Sequence, residues 1–334
     1  MTAIVTGGGR GLGRQISVTL ARDGARVVLV ARTRSELEAT AEEIRAVGGE
    51  ALVCPGDVSD LPAMEAVVDE ALAWGDVELV VNNAGSQQPI GVLTANDPEA
   101  WARTVRVNLL GALHLCRLLL PHLIERGGGR IVNVSGGGAA NARPYFSAYA
   151  ASKAAVARFT ETLAEELRGS GVQVNAIAPG AMNTRMLDEI LASGVEREIA
   201  EAQLVSGGTP LDVPAGLVRF LATCSPAITG KLIAAPHDDW QSWDGDVARI
   251  AETPLLTLRR VDPFTVGPLL DTLQEAEACA SPPASSARGR SAGSGPRLPT
   301  PPATGSSRSA TSPPSGRTRR RRRTEPRAAP TGAR

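Results

Sequence analysis

Tyr149 and Lys153, four residues apart, are the pair in this sequence best suited to acid–base chemistry. On a helix that spacing puts both side chains on one face, one turn apart. An ammonium beside a phenol favours the phenolate, drawing a group that ordinarily titrates at about pH 10 toward neutrality. Tyr149 could then give a proton to a carbonyl oxygen or take one from an alcohol. Taken alone, the pair is also an ordinary helix-surface arrangement, so its weight depends on what accompanies it.

A second feature accompanies it near the N-terminus. Thr6-Gly7-Gly8-Gly9-Arg10-Gly11-Leu12-Gly13 follows an expected strand and opens an expected helix. At such a junction backbone N–H groups and the helix dipole can hold a pyrophosphate. The spacing Gly-x-x-x-Gly-x-Gly differs from the commoner Gly-x-Gly-x-x-Gly, so its position after a strand carries most of the inference. Binding of the ribose 2′-hydroxyl of NAD calls for an acid at the end of the next strand, but Ala31 and Arg32 stand there. Arg32 and Arg10 could instead clamp a 2′-phosphate, so NADP(H) is preferred and NAD(H) is the alternative. Pro179-Gly180-Ala181-Met182-Asn183-Thr184 follows a later strand, at the carboxyl edge where open α/β sheets bind ligands.

The elements that must position these groups read as repeated βαβ units. Strands are expected at 3–6, 26–30, 51–54, 79–81, 130–134, 172–177 and 231–234. Helical patterns begin near Gly11, Ser35, Leu61, Glu99, Ala148, Met186 and Val213. With only 3% aromatic residues, the core must be built from Ala, Val, Leu and Ile, as in strands covered by helices on both faces. The expected fold is α/β: one Rossmann-type, doubly wound parallel sheet in a three-layer α/β/α domain over residues 1–238. A partly helical extension, 239–278, and a disordered Ser/Pro/Arg-rich tail, 279–334, follow.

Together these residues resemble the classical short-chain dehydrogenase/reductase family, from Thr2 to about Ala235. Beyond the glycine turn, the likeness is carried by Asp57-Val58, Asn82-Asn83-Ala84-Gly85, Asn108, Tyr149 to Lys153, and Pro179-Gly180 with Thr184. The resemblance implies an oxidoreductase that interconverts a carbonyl and an alcohol, with Tyr149 as general acid and base. It also implies that Lys153 holds the nicotinamide ribose and that Asn108 continues a proton relay through water. Asp57 and Val58 would meet the adenine ring, and Thr184, with the backbone of Met182, would hold the carboxamide. Family members assemble as dimers or tetramers through the helices carrying Asn108 and Tyr149.

One departure stands out. The family serine thirteen positions before the tyrosine is replaced by Gly136. Ser135 is its immediate neighbour, yet a continuing strand would turn that side chain to the opposite face. Ser147, or a backbone N–H among Gly136, Gly137 and Gly138, offers another donor. Losing one such donor costs about a hundredfold or more in rate, so a cofactor-binding sensor or assembly protein stands as the alternative to an enzyme. The usual ending of the domain is also replaced, by Ala234-Ala235-Pro236-His237-Asp238-Asp239-Trp240, in which His237, Asp238 and Asp239 are read as exposed loop polarity, with lining of a pocket as the alternative.

Charge narrows the partners further. The stretch after Ala280 holds twelve arginines and one acid, Glu325, so in a formally neutral chain the remainder carries a net charge of −11. An acidic body disfavours nucleic acid as the ligand of the folded part and favours a small molecule. The arginine run from Arg317 to Arg323 is read as a solvated appendage. Cys54, Cys116, Cys224 and Cys279 are scattered, without metal-ligand spacing, so reduced thiols in a cytoplasm and no metal are expected. No apolar run is read as long enough to span a bilayer.

Overall fold

Thr2–Thr6 (β1) is buried along its whole length. In the computed structural model, which describes residues 1–224, 228–245, 250, 253 and 256–258, Ala3 and Val5 face one core and Ile4 the other. The same alternation runs through Arg26–Ala31 (β2), where Val27 and Leu29 oppose Val28 and Val30, and through Val77–Asn82 (β4), where Leu79 and Val81 oppose Val80. With side chains alternating across the pleat and both faces covered, such strands are apolar throughout. Glu50–Pro55 (β3), Gly129–Val134 (β5), Val172–Ala178 (β6) and Leu232–Ala234 (β7) complete a seven-stranded sheet of order β3-β2-β1-β4-β5-β6-β7. Every pairing is parallel.

Three helices cover one face: Gly11–Arg22 (α1), Arg34–Ala46 (α2) and Asp212–Thr223 (α9), through Ile16, Leu20, Leu37, Ile44, Leu217 and Leu221. Leu61–Trp74 (α3), Gly111–Glu125 (α5) and Ser147–Glu166 (α6) cover the other, through Met64, Val67, Leu115, Leu119, Leu123 and Leu163. Each such large side chain contributes roughly 1.5–3 kcal/mol on burial. This is the expected three-layer, doubly wound α/β architecture. Because β1 lies beside both β2 and β4, the chain reverses its direction of travel across the sheet there. A crevice therefore opens at the carboxyl ends of β1 and β4.

Several local expectations need correction. The helix expected from Glu99 is Pro98–Val105 (α4), capped by Asp97 through Glu99 N and Ala100 N, followed by a π turn, Arg106–Leu110, that runs on into α5. The continuous helix Pro98–Glu125 is long and apolar enough, by length and composition, to cross a membrane, contrary to the reading of the sequence. Its Leu115, Leu119 and Leu123 are buried against the sheet. After Arg185–Ser193 (α7) comes a second short helix, Arg197–Ser206 (α8), which the sequence pattern did not separate.

Beyond β7, a short 3-10 turn at Trp240–Gly245 packs Trp240 and Trp243 on Phe220 of α9, with ring centroids 5.9 and 6.3 Å apart. The start of the expected extension is thus joined to the core. The helical patterns expected around 246–252 (except Ile250, which is buried) and 268–278, the tail 279–334 and Cys279 lie outside the described residues.

Candidate active site

The glycine turn is stapled to the neighbouring strand by a threonine. Thr6 Oγ1 accepts from Asn83 N at 2.9 Å and Ala84 N at 3.0 Å and donates to Val81 O, while Asn83 Nδ2 donates to Thr6 O at 2.9 Å. These bonds hold the ends of β1 and β4 together where the crevice opens. Gly7 turns the chain in the left-handed region, φ 65°. A Cβ on Gly13 would overlap the Gly7 carbonyl and lie 2.5 Å from Asn83 Nδ2, so α1 starts this close to β1 only without a side chain there. Arg10 is the N-cap residue and supplies no side-chain cap, leaving the first-turn N–H groups of α1 for an anion.

Most of the residues singled out from the sequence line one cleft of about 1020 Å³, from the glycine turn through Arg32, Asp57, Asn83 and Ser135 to Tyr149, Lys153 and Thr184, whereas Gly13, Asn82, Asn108 and Ser147 stand outside it. At one end Arg32 faces Asp57. Burial pushes the Asp57 carboxyl up, but bonds from the Ser59 hydroxyl and N–H, with the Arg32 charge, outweigh it and hold the group below its ordinary range. Val58 packs beneath, its carbonyl 3.0 Å from His114 Nδ1. Arg10 reaches a partner the sequence reading overlooked: Glu36 Oε1 receives Arg10 Nη1 at 3.3 Å and Arg185 Nη2 at 3.2 Å. Glu36 lies in the first turn of α2, and nothing in its local sequence marks it.

The segment after β6 closes over the turn. Pro179 and Gly180 line the cleft, and Met182 bridges to Gly208. Thr184 is the N-cap residue of α7 and lies against Gly11, its Cγ2 3.5 Å from where a Cβ there would stand. His237 also lines the cleft, whereas Asp238 accepts from Ala234 N and Asp239 from the Ser242 hydroxyl.

Tyr149 and Lys153 share the inner face of α6, as expected, and both are buried. Lys153 Nζ donates to Val134 O at 2.7 Å and lies 5.8 Å from the Tyr149 ring centroid. The electrostatics correct the simple expectation. Burial dominates, pushing the Tyr149 phenol above its ordinary value, and the opposing charge is Arg143. Burial also pulls the Lys153 ammonium down to about 8. Asn108 sits in the π turn, where Oδ1 accepts from Ser86 N at 2.7 Å. Its Nδ2 donates to Ser86 O and to Ser152 Oγ, both at 2.8 Å, tying the segment after Gly85 to the Tyr149 helix.

Neither serine takes up the position of the family hydroxyl. Ser135 Oγ donates to Lys153 O at 3.0 Å, and Ser147 Oγ accepts from Trp101 Nε1 at 3.1 Å. The space itself is filled. A Cβ on Gly136 would overlap Tyr149 Oη and lie 3.1 Å from Cζ. Arg143, which sequence reasoning missed, also lines the cleft: its Cζ lies 3.8 Å from the Phe146 ring centroid and 5.8 Å from that of Tyr149. Its loop has no regular element, so no periodic pattern could have revealed it.

Comparison with known proteins agrees with this geometry. A family model described as short chain dehydrogenase matches residues 1–193. A ketoacyl reductase of Nostoc sp. is 34% identical over 222 residues, 66% of this chain and 75% of that protein. A 3β-hydroxysteroid dehydrogenase of Eggerthella lenta is 37% identical over 242 residues, 70% of this chain and 90% of its own. Among solved structures, an NAD+-bound xylitol dehydrogenase has a TM-score of 0.65 at 26% identity, covering 70% of this chain and 96% of that one. A variant of the actinorhodin polyketide ketoreductase with NADPH has the same score at 32% identity, covering 70% and 94%. With the glycine turn, the Tyr149–Lys153 face and the sheet crevice already in one cleft, the match over most of the domain makes this chain a member of the short-chain dehydrogenase/reductase family, an NAD(P)-dependent oxidoreductase acting on CH–OH and C=O groups.

Proposed function

We propose that this chain is an NADP(H)-dependent carbonyl reductase or alcohol dehydrogenase in which Tyr149 exchanges the proton with the substrate oxygen. The observation that carries the reading is the single cleft running from the glycine turn to the Tyr149 and Lys153 side chains. The residues present suit a dinucleotide: an uncapped helix start, a turn with no side chain in the way, and a crevice of ligand-binding size. When bound, the cofactor supplies or accepts the hydride. Tyr149 gives its phenolic proton to the carbonyl oxygen in reduction and takes the alcohol proton in oxidation. Lys153, at about 8, is mostly protonated at neutral pH and holds positive charge beside the phenol and the ribose side of the cleft. Asn108 keeps the Ser86 segment and α6 in register.

NADP(H) is favoured because Arg32 and Arg10 border the adenosine end and β2 ends without a carboxylate. Glu36, the nearby acid, is already shared by two arginines. The substrate class proposed is a ketone, aldehyde or 3-oxoacyl group, in line with the ketoacyl and hydroxysteroid relatives. A homodimer or homotetramer through the outer faces of α5 and α6 fits the exposed Leu110 and Ile124, and light scattering of the full chain tests it. A cytoplasmic setting accords with the unpaired, buried Cys54, Cys116 and Cys224.

A substrate panel followed by NADPH absorbance tests the enzyme. Turnover that Tyr149→Phe abolishes while NADPH binding survives is the expected result. The lack of a side-chain hydroxyl at position 136 motivates a second reading, a cofactor-binding sensor. Tight NADPH binding without turnover on any carbonyl or alcohol would establish that reading and overturn the first.

A further inference from the structure

The geometry of the loop after β5 assigns a role to Arg143. We propose that Arg143 compensates for the missing family serine, its guanidinium standing beside Tyr149 as the positive charge that stabilises the oxygen anion formed in proton transfer. The inference rests on the reading of Tyr149 as the proton-exchanging group. Arg143 acts through Tyr149 and is a positioning residue.

Four observations support it. The space a hydroxyl would need at position 136 is taken by Tyr149 itself, and Ser135 and Ser147 are bonded elsewhere. Arg143 is held in place from three sides. Its Cζ stacks 3.8 Å over the Phe146 ring, its Nη2 pairs with Glu196 Oε2 at 3.0 Å, and its carbonyl accepts from Phe146 N. Glu196 of this pair and Tyr145, two residues after Arg143, both adopt the left-handed region, at φ 51° and 69°. Non-glycine residues hold that conformation only where the surroundings enforce it, and such strain collects at functional sites. Gly91 N pins the Tyr145 carbonyl at 2.8 Å. Finally, Arg143 is the group whose charge opposes the effect of burial on the Tyr149 phenol.

The charged groups facing Tyr149 from the elements around it are few. Lys153 is on its own helix, with its ammonium bonded to Val134 O. Arg103 on α4 lines the cleft, as does Glu189 on α7, whose carboxylate receives Gln87 and Gln88. Glu196 precedes α8 and bears on Tyr149 through Arg143. The rest of the packing around Tyr149 is apolar, from Phe146, Leu187, Ile190 and Ala200. Proton flow is balanced without a further reagent: in oxidation the alcohol proton passes to the Tyr149 phenolate, and in reduction the phenol returns it to the carbonyl oxygen, hydride moving to or from the nicotinamide cofactor.

The test uses two substitutions that break the same ion pair with opposite electrostatic consequences. Arg143→Gln removes the cation, while Glu196→Gln removes its counter-charge and leaves it unscreened. Two readouts are taken on the full chain: the pH dependence of kcat/KM for alcohol oxidation, and the ultraviolet titration of tyrosinate. The chain has only two tyrosines, so subtracting the same variant with Tyr149→Phe isolates Tyr149. Arg143→Gln should raise the apparent pKa by about one pH unit or more, and Glu196→Gln should lower it. Arg143→Lys, which keeps the charge, should recover most of the shift. Shifts of the same sign in both variants, as loss of a structural tie would produce, or no shift at all, would overturn the proposal. If the titration shifts as expected in a protein that turns over nothing, the enzyme reading fails and the compensating role falls with it, leaving only the charge relation between Arg143 and Tyr149; turnover without the expected shifts sinks the inference alone.

Discussion

The hydroxyl of Tyr149 occupies the space into which any side chain at Gly136 would grow. The two positions therefore depend on each other, and the absence of the family serine is a packing relation as well as a loss of one donor. Restoring the side chain should move the Tyr149 hydroxyl.

Gly136→Ala and Gly136→Ser are thus both expected to lower kcat/KM, by about tenfold to a hundredfold, because a displacement of about 1 Å costs that much at a reacting group. Steady-state kinetics on both variants, beside NADPH binding, checks it. Higher activity in Gly136→Ser would mean that Tyr149 can yield and that the hydroxyl is what the site lacks.

Ser135→Ala should separate a structural hydroxyl from a catalytic one. Its bond to Lys153 O ties β5 to α6, so its loss should cost about 1 kcal/mol of stability. The value of kcat should stay within a few-fold of the parent. Denaturant unfolding and turnover measured on the same preparation give both numbers.

Lys153 predicts a pH dependence of stability. Burial lowers its ammonium from 10.5 to about 8 in the folded chain. Between those values the unfolded chain holds a proton that the folded chain has released, so stability rises with pH across that window. Below pH 8 both states are protonated and the full cost of the buried charge remains, at most on the order of 3 kcal/mol. Relative to Lys153→Met, the parent should therefore gain Tm as pH rises from about 8 toward 10.5. A flat difference across that range would show that the lysine is not desolvated. The same variant should lose most of its turnover at neutral pH.

The proposed 2′-phosphate site at Arg32 and Arg10 predicts cofactor choice. Arg32→Ala and Arg10→Ala should each raise KM for NADPH by about tenfold to a hundredfold, the scale of a charge-assisted hydrogen bond, with little effect on NADH. Glu36→Gln should act in the opposite sense, since it frees Arg10 and Arg185 from a shared carboxylate. Parallel kinetics with the two cofactors decides it, and equal effects on both would remove the case for a 2′-phosphate site.

Much of this protein is legible in its sequence. Strands such as β1 and β2 are short runs of apolar residues between turns, and their burial on both faces follows from that composition. The glycine turn and the Tyr149–Lys153 face are local in sequence, so spacing alone could indicate them. The division into α7 and α8 was less legible, because a short break between two amphipathic turns leaves the apolar spacing almost intact. The π turn at Asn108 was hidden for a similar reason, since one additional residue in a helix barely disturbs its period.

Local patterns thus determined the α/β architecture, the glycine-rich turn after β1 and the Tyr149–Lys153 pair on one helix face, since each depends on residues within a few positions of one another. Only the tertiary structure decided which charge opposes burial at Tyr149, which arginines share Glu36, and where the hydroxyls of Ser135 and Ser147 are used. Those outcomes depend on distances between segments far apart in the chain, such as Arg143 with Glu196 or Glu36 with Arg185, and on how deeply packing removes each group from water.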